Sequence, residues 1–316
     1  MVTTPTIRDF DQLLERVKDH PIKRVAIACG DMATVVAAAA RAEQERVADA
    51  ILFGDRDRTM ALADQAGLDL TTAEFVDIAD RDEAAAAAVA AVSRGEADIV
   101  MKGYIHSDDF LRAVLQRTDG LRSGRMLSHT FLLEVPHLER ILFVTDGAMN
   151  IAPDFEKKAQ IARNSIALAR LYGIDQPKVA VLAAVELVNP RMQATQDAAI
   201  LSLMSHRGQF EHGVVEGPFA LDNAISVEAA AVKGIENSVA GRADVLLVPD
   251  IEAGNILVKS YVYLARGRIA GLVLGATAPV VLTSRADTAE SKFLSIAAAV
   301  YAAQLESVRV KLGRSV

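Results

Sequence analysis

Residues 243–287 contain two apolar runs that end abruptly in polar residues, and this pattern limits the possible folds more than any other. The runs cover residues 245–248 and 270–282. Short apolar runs with many β-branched residues are typical of strands buried on both faces of a parallel sheet. Segment 255–266 between them has helical spacing, so we predict a strand–helix–strand unit. Ligands bind beyond the carboxyl ends of such strands, which predicts a site at loops 249–255 and 283–287.

The rest of the chain repeats this alternation. Apolar runs at 23–29, 50–53, 74–78 and 98–101 are separated by helical, alanine-rich segments, and a further run follows at 140–145. Strands that alternate with helices predict an α/β fold with doubly wound sheets. At 316 residues the chain is long enough for about two domains, and we place the first boundary near residue 145. No linker rich in Pro, Gly or Ser marks it, so the domains should be closely joined.

Composition excludes several classes of function. The formal net charge is −7, so neither nucleic acid nor an anionic membrane surface is an expected partner. The single cysteine cannot form an internal disulfide, and the six histidines show no metal-ligand spacing, so we expect no metal site and a cytoplasmic location. The first ten residues do not resemble a signal peptide, and no uncharged apolar run reaches the roughly 18 residues of a membrane span.

The phosphate-binding motifs of common nucleotide folds are also absent. The sequence has no G-x-x-x-x-G-K-[ST] motif, and no G-x-G-x-x-G motif follows the first predicted strand. There is no G-x-S-x-G nucleophile elbow either. A classical NAD-binding domain and a hydrolase with a catalytic triad are therefore not expected.

Six collinear segments carry a resemblance to a known family. They are MKGYIHSDDFLRAVL (101–115), LSHTFLLEVP (127–136), TDGAMNIAPDFEKKAQIARNSIALARLYGIDQPKVAVLAAVELVNP (145–190), EGPFALDNAIS (216–226), VPDIEAGNILVKS (248–260) and LTSRAD (282–287). With these segments the sequence resembles the phosphate acetyltransferase/phosphate butyryltransferase family from about residue 95 onward.

The resemblance implies a fold, a reaction and an assembly. The fold would be of the isocitrate/isopropylmalate-dehydrogenase type, with two α/β domains and an interdomain cleft that holds the site. Residues 1–145 and 272–316 would form the first domain and residues 146–271 the second. The reaction would be acyl-CoA + phosphate ⇌ acyl phosphate + CoA, with CoA as substrate or product and no permanently bound cofactor. The enzymes of this family are typically homodimers or larger.

The resemblance also implies site residues. The pair Ser284-Arg285 and Arg112 match residues that line the site in the family. Asp250, Asn255 and Lys259 match a Pro-Asp-x-x-x-Gly-Asn-x-x-x-Lys element, which begins at Pro249 and includes Gly254. Asn255 and Lys259 are four residues apart at a predicted helix start, so both can face the same ligand.

The sequence departs from acetyl-type members at two positions. Those members place an aspartate, proposed as a base, seven residues after the serine, and Ser291 stands there in this chain. They also have Asp-Cys-Ala where this chain has Asp-Gly-Ala at 146–148. Both differences favour the butyryl-type branch, and Asp287 is the nearest acid that could replace the base.

The chemistry of the reaction suits these residues, although each has a plainer alternative. Arg285 and Arg112 can bind phosphate bidentately, or either can form a surface salt bridge. Ser284 can donate to the thioester oxygen or the departing sulfur, or it can cap the last helix. Lys259 can be solvated instead. Ser128 lies in a polar break before an apolar strand, and we expect it at the cleft.

Three functions remain possible at this point. We favour direct attack of phosphate on acyl-CoA in a ternary complex, because the cysteine at position 29 is better explained as a small buried residue than as a nucleophile. An NAD-dependent dehydrogenase on a related fold would need a metal-binding aspartate set and a nicotinamide site. A non-catalytic regulatory acyl-CoA-binding domain would not need the intact Ser284-Arg285 pair.

Overall fold

The computed structural model describes residues 5–311, except for the side chains of residue 136 and residues 305–311. The chain forms two compact units. The N-terminal unit consists of Phe10–Arg125 and Ala270–Val316, and the central unit consists of Met126–Ile269 with Met1–Asp9. The outermost residues of the predicted first domain, 1–4 and 312–316, lie outside the described residues.

The N-terminal unit contains a parallel sheet in the order β3-β2-β1-β4-β11. These strands are β1 (Lys23–Ala28), β2 (Ala48–Gly54), β3 (Glu74–Asp77), β4 (Ile99–Lys102) and β11 (Val280–Val281). All four residues of β4 are buried, as expected for a strand covered by helices on both faces. The predicted α/β class with a doubly wound sheet is therefore confirmed.

Six helices accompany this sheet, and several begin and end at the residues that helix chemistry favours. They are α1 (Phe10–Lys18), α2 (Ala33–Gln44), α3 (Arg56–Ala66), α4 (Arg81–Ser93), α5 (Ser107–Val114) and α11 (Ala289–Lys311). Asp55 and Asp80 accept backbone N–H groups at the starts of α3 and α4. Gly67 ends α3 in the left-handed conformation, which costs glycine little. Alanines on the buried faces of α2 and α4 let these helices pack closely on the strands.

The apolar run at 270–282 folds differently from the single strand that we predicted. Strand β10 (Arg268–Leu274) and β11 pair antiparallel, with Val273 opposite Val280. The chain reverses between them after Gly275, whose positive φ of 91° suits glycine. The prediction of one strand was therefore wrong, because continuous apolar content does not reveal a reversal. The consequence is that β11 runs parallel to β4, so residues 283–287 leave the sheet where β4 ends.

The central unit contains a mixed sheet in the order β5-β6-β9-β7-β8. Its strands are β5 (Ser128–Val135), β6 (Arg140–Thr145), β7 (Lys178–Leu182), β8 (Val214–Phe219) and β9 (Val245–Leu247). Only the β5–β6 pair in this sheet is antiparallel. Its helices are α6 (Phe155–Leu171), α7 (Gln193–His206), α8 (Leu221–Ile225), α9 (Val227–Val232) and α10 (Ile251–Tyr263). None of the helices described in residues 5–311 is long and apolar enough to cross a membrane.

The division between the units lies near residue 125, whereas we predicted a boundary near residue 145. Strand β6 pairs with β5 on one side and with β9 on the other, so both β5 and β6 join the central sheet. The sequence shows no linker at either position. The boundary depends on which sheet each strand joins, and strand pairing, which composition does not reveal, determines this.

A buried ion pair joins α6 to α7 in the central unit. The Nζ atom of Lys158 lies 2.7 Å from Oδ2 of Asp197, and the two side chains are 4% and 3% exposed. Gln193 donates to the other carboxylate oxygen over 2.8 Å. The positive charge of Lys158 and the negative charge of Asp197 therefore compensate each other in a region from which water is excluded.

We predict that Lys158→Met lowers the free energy of unfolding by about 3 kcal/mol, because it leaves the Asp197 carboxylate buried without its cation. Urea denaturation followed by circular dichroism measures this loss. The double variant Lys158→Met/Asp197→Leu removes both charges and should regain most of the stability. A loss below about 1 kcal/mol for the single variant would show that the pair contributes no more than a surface ion pair.

Candidate active site

The segment Ser284-Arg285-Ala286-Asp287, here called the Ser-Arg loop, follows β11 and is held by its own polar groups. The backbone N–H of Ser284 donates to Oδ2 of Asp287 over 2.7 Å, and the N–H of Asp287 donates to the carbonyl of Ser284 over 3.1 Å. The Oγ atom of Ser284 accepts from the N–H of Ala286 over 3.3 Å. Ser284 and Arg285 are exposed at the surface of this turn.

The helix after the loop has a cap of its own. Thr288 immediately precedes α11, and its Oγ1 accepts the N–H of Ser291 over 3.1 Å. The Ser291 hydroxyl also bonds to Thr288. The alternative role of Ser284 as the cap of the last helix is therefore filled by Thr288.

Lys292 lies beneath the Ser-Arg loop, on the first turn of α11. Its side chain is 1% exposed, and its Nζ donates to the carbonyl of Ser284 over 3.0 Å and to that of Asp287 over 2.7 Å. One ammonium group thus binds both ends of the loop. Burial lowers the pKa of Lys292, and the charge of Asp287 opposes that shift.

Lys102, at the end of β4, is a second buried lysine near this loop. It is 2% exposed, and its Nζ donates to the carbonyls of Ile105 over 3.1 Å and Gly103 over 3.4 Å. No carboxylate within residues 5–311 lies at ion-pair distance from it. Burial, together with the positive charges of Lys292 and Arg285, lowers the pKa of Lys102 to about 8.

A cavity of about 480 Å³ opens beside Arg285 within the N-terminal unit. Its wall includes Arg81, Tyr104 and His106, and Asp80 and Asp109 face it as well. Arg81 is fixed by two hydrogen bonds to the buried carboxylate of Asp31, over 2.7 and 3.1 Å, and its guanidinium lies 4.5 Å from the ring centre of Tyr104. The cavity is therefore polar and partly rigid.

Arg112, on α5, has the surface geometry that we gave as its alternative. Its Nη1 lies 2.8 Å from Oδ1 of Asp109, and its side chain is 67% exposed. Asp109 also lines the cavity, so Arg112 is connected to the cavity wall through its ion pair with Asp109. A role of Arg112 in binding phosphate stays a prediction.

Three predicted residues of the central unit lie at the start of α10. Asp250 is the N-cap, and its Oδ1 accepts the N–H of Ala253 over 2.8 Å. Asn255 donates to the carbonyl of Gly147 over 3.3 Å. Lys259, one turn further, is exposed and has no ion-pair partner in the described part of the chain. Asp250 thus has a defined structural contact, whereas Lys259 remains free for a ligand.

Gly147 and Gly254 let the loop after β6 approach the start of α10 closely. A Cβ atom on Gly254 would lie 2.7 Å from the Cα of Gly147, a distance that real structures do not show. Asp146 fixes the same loop, because its buried carboxylate accepts the N–H groups of Ala148 and Met149, both over 3.0 Å. The Asp-Gly pair at 146 and 147 therefore orients the carbonyl that Asn255 contacts.

Ser128 is 0% exposed at the first position of β5. Its Oγ accepts a hydrogen bond from Nδ2 of Asn164 over 2.9 Å, and the same amide also donates to the carbonyl of Met126 over 3.0 Å. Within its unit Ser128 therefore contacts protein groups, and its predicted role in substrate binding stays untested.

Sequence reasoning missed the two buried lysines. In the sequence each appears only as a lysine at the edge of an apolar segment. Lys102 ends the segment IVMK, and Lys292 precedes the segment FLSIAAAV. Lysine is rarely buried, so residue type alone argued for the surface. Among the described residues no group of three or more His, Cys, Asp or Glu side chains could hold a metal ion.

Comparison with known proteins agrees with the resemblance found in the sequence. A family model described as "Phosphate acetyl/butaryl transferase" matches residues 79–300. A phosphate butyryltransferase of Clostridium beijerinckii is 46% identical over 94% of this chain and 98% of its own length. A phosphate acetyltransferase of Thermotoga maritima is 43% identical over 89% of this chain and 95% of its own length.

A solved structure supports the same assignment. The branched-chain phosphotransacylase of Enterococcus faecalis V583 superposes with a TM-score of 0.79 at 32% identity, over 89% of this chain and 99% of that protein. The Ser-Arg loop lies within residues 79–300, which the family model matches. The chain therefore belongs to the phosphate acetyl/butyryl transferase family.

Proposed function

We propose that the protein transfers a short acyl group between CoA and inorganic phosphate, in the reaction acyl-CoA + phosphate ⇌ acyl phosphate + CoA. The observation that carries this proposal is the Ser-Arg loop, which exposes a guanidinium, is held by the buried ammonium group of Lys292 and follows the strand that pairs with β4, where the buried Lys102 lies. Family membership supports the same reaction and does not favour an NAD-dependent dehydrogenase. The intact loop also argues against a purely regulatory domain.

The exposed groups of the loop match the charges of the reaction. Phosphate is an anion, and its attack on the thioester builds negative charge on the carbonyl oxygen, so fixed cations and donors are the main requirement. Arg285 can bind phosphate through two parallel N–H groups. The Oγ atom of Ser284 accepts a hydrogen bond from the N–H of Ala286 within the loop. Its own O–H group therefore remains available to donate to the thioester oxygen or the departing sulfur.

A strong protein base is not needed for this chemistry. Phosphate is partly dianionic near neutral pH, and a thiol with a pKa near 8.5 is a fair leaving group. The carboxylate of Asp287 accepts a hydrogen bond from the backbone N–H of Ser284, so it holds the loop in its observed conformation. We therefore propose Asp287 as a residue that orients Ser284 and contributes at most modestly as a base.

We propose direct attack of phosphate rather than an acyl-enzyme intermediate. The cysteine at position 29 is 1% exposed, and burial raises the pKa of its thiol to about 11. A thiol in that state is a poor nucleophile, because only the thiolate attacks. The acyl group would then pass from sulfur to phosphate oxygen in a single displacement, and the CoA thiolate would take up a proton from water.

The remaining predicted residues keep roles that fit their contacts. We propose that Asn255, Lys259 and Arg112 bind the substrates, because each presents an amide or a charged group at an exposed or half-buried position. Asp250 and Ser128 already bond to protein groups, which favours a supporting role for both. The donor groups named here are all protein side chains, so we infer that no resident cofactor is required.

The acyl preference and the cell compartment are further proposals. Ser291 in place of the aspartate of acetyl-type members, and Gly147 in place of a cysteine, favour a butyryl-type substrate. A methylene of difference is worth only about 1 to 3 kcal/mol, so acetyl-CoA should still react slowly. We propose a cytoplasmic location from the absence of cysteine pairs, which cell fractionation would test.

We predict that the purified protein releases free thiol from butyryl-CoA only when phosphate is present and without NAD. A colorimetric thiol assay measures the rate, and phosphorus NMR identifies butyryl phosphate as the product. Acetyl-CoA in the same assay reports the acyl preference. Thiol release that is independent of phosphate would contradict the proposed reaction.

We predict that Arg285→Ala lowers kcat/KM by roughly 100-fold or more, because it removes a cation that faces the anionic reactants. Asp287→Asn should have a much smaller effect, since the amide oxygen can still accept the N–H of Ser284. Steady-state kinetics with varied phosphate measures both. An equal loss for the two variants would show that Asp287 acts as an essential base.

We propose a homodimer formed through the central unit. That unit exposes several large apolar side chains, among them Leu187, Leu203, Val232 and Leu264, of which Val232 is 89% exposed. Burial of such side chains between two subunits would remove apolar area from water, which favours association.

Light scattering coupled to gel filtration should therefore give about twice the chain mass of 33.8 kDa. A mass that matches one chain at micromolar concentration would overturn this prediction. Loss of the dimer in Leu203→Glu would assign α7 to the interface.

A further inference from the structure

The two buried lysines of the N-terminal unit are costly to the fold. Lys102 and Lys292 are 2% and 1% exposed, and both bond to neutral backbone carbonyls. A buried ammonium group loses its hydration, and without a carboxylate partner little in the protein compensates for that loss. Such groups are rare and often have a functional reason.

The central unit shows how the same chain buries a lysine for structure alone. Lys158 is as buried as Lys102, but the carboxylate of Asp197 lies 2.7 Å from its Nζ. Lys102 and Lys292 differ from it in having no such partner within the described residues. Their positive charges are therefore not neutralised by an ion pair and can act on a bound anion.

Both lysines converge on the Ser-Arg loop. Lys292 binds the first and the last carbonyl of the loop, so its ammonium group fixes the span that contains Ser284 and Arg285. Lys102 occupies the end of β4, and β4 pairs in parallel with β11, which leads into the loop. The positive charges of Lys292 and Arg285 both lower the pKa of Lys102, in keeping with this pairing of β4 and β11.

The Ser-Arg loop itself contains one carboxylate, that of Asp287. The charge of Asp287 acts on both Lys102 and Lys292. Asp80 and Asp109 line the cavity beside Arg285, whereas neither lysine has a carboxylate at ion-pair distance within residues 5–311. The excess positive charge lies beneath the residues that we assign to phosphate and thioester.

We propose that Lys292 and Lys102 are positioning residues for acyl transfer to phosphate: Lys292 fixes the Ser-Arg loop through two of its carbonyls, and both lysines provide a positive field for the anionic reactants. This inference rests on the proposed function and deepens it. Lys292 bonds to the first and the last carbonyl of the loop, so its cation lies close to the residues that would contact the reactants. Charge stabilisation, rather than proton removal, would then lower the barrier.

Four variants test the proposal: Lys292→Met, Lys102→Met, Lys292→Arg and, as a matched control, Lys158→Met. Methionine keeps the length and volume of the side chain and removes its charge. For each variant we would measure kcat, KM for phosphate and the melting temperature, and follow amide hydrogen exchange of residues 283–288 by mass spectrometry.

The proposal predicts opposite patterns for the lysines of the two units. Lys292→Met should lower kcat/KM for phosphate by roughly 100-fold, as a displaced catalytic loop does, and should speed exchange in residues 283–288. Lys102→Met should lower kcat/KM while its melting temperature stays unchanged or rises, because a desolvated charge is removed. Lys292→Arg should regain part of the activity. Lys158→Met should lower the melting temperature without faster exchange at 283–288.

Either of two kinetic results would overturn the proposal. One is kcat/KM for phosphate within about twofold of the wild type in both Lys292→Met and Lys102→Met, which is less than the effect of removing one functional hydrogen bond. The other is a loss of activity that follows a fall in melting temperature like that of Lys158→Met. If the wild type itself shows no phosphate-dependent thiol release, the proposed function fails, and unchanged exchange at 283–288 in Lys292→Met would separately reject the positioning role.

Discussion

The parallel pairing of β11 with β4 determines where the charged groups of the candidate site lie. Val280 stands opposite Val100 and Val281 opposite Met101, so the chain leaves both strands at the same edge of the sheet. Lys102 follows at the end of one strand and the Ser-Arg loop at the end of the other. The reversal after Gly275 makes this possible, because a single continuous strand would deliver the loop to the opposite edge.

The site illustrates how an acidic chain can serve an anionic substrate. The net charge of −7 describes the whole surface, whereas binding depends on a few charges within a Debye length of about 10 Å. Arg285, Lys102 and Lys292 supply that local field, and Asp287 is fixed to the backbone of Ser284. Burial of two of these cations reduces their screening by water, which strengthens their effect on a nearby anion.

Much of this arrangement could be predicted from the sequence, and the exceptions have physical reasons. The apolar run at 23–29 and the observed β1 (Lys23–Ala28) agree because a buried parallel strand has a continuous apolar pattern. The motif residues Ser284 and Arg285 stood out through family resemblance. The reversal within 270–282 and the sheet that β5 joins depend on pairing between distant segments, which local patterns do not contain. Lys102 and Lys292 were missed because burial of a lysine depends on neighbours that are remote in sequence.

In the proposed reaction phosphate attacks the thioester directly, with fixed cations and no protein nucleophile. Exchange of labelled phosphate into butyryl phosphate in the absence of CoA tests this most directly. An acyl-enzyme would form from butyryl phosphate alone and would release phosphate reversibly, whereas direct displacement requires CoA in the same complex. We predict no exchange above background until CoA is added. Rapid exchange without CoA would contradict the account and would require a nucleophile on the protein.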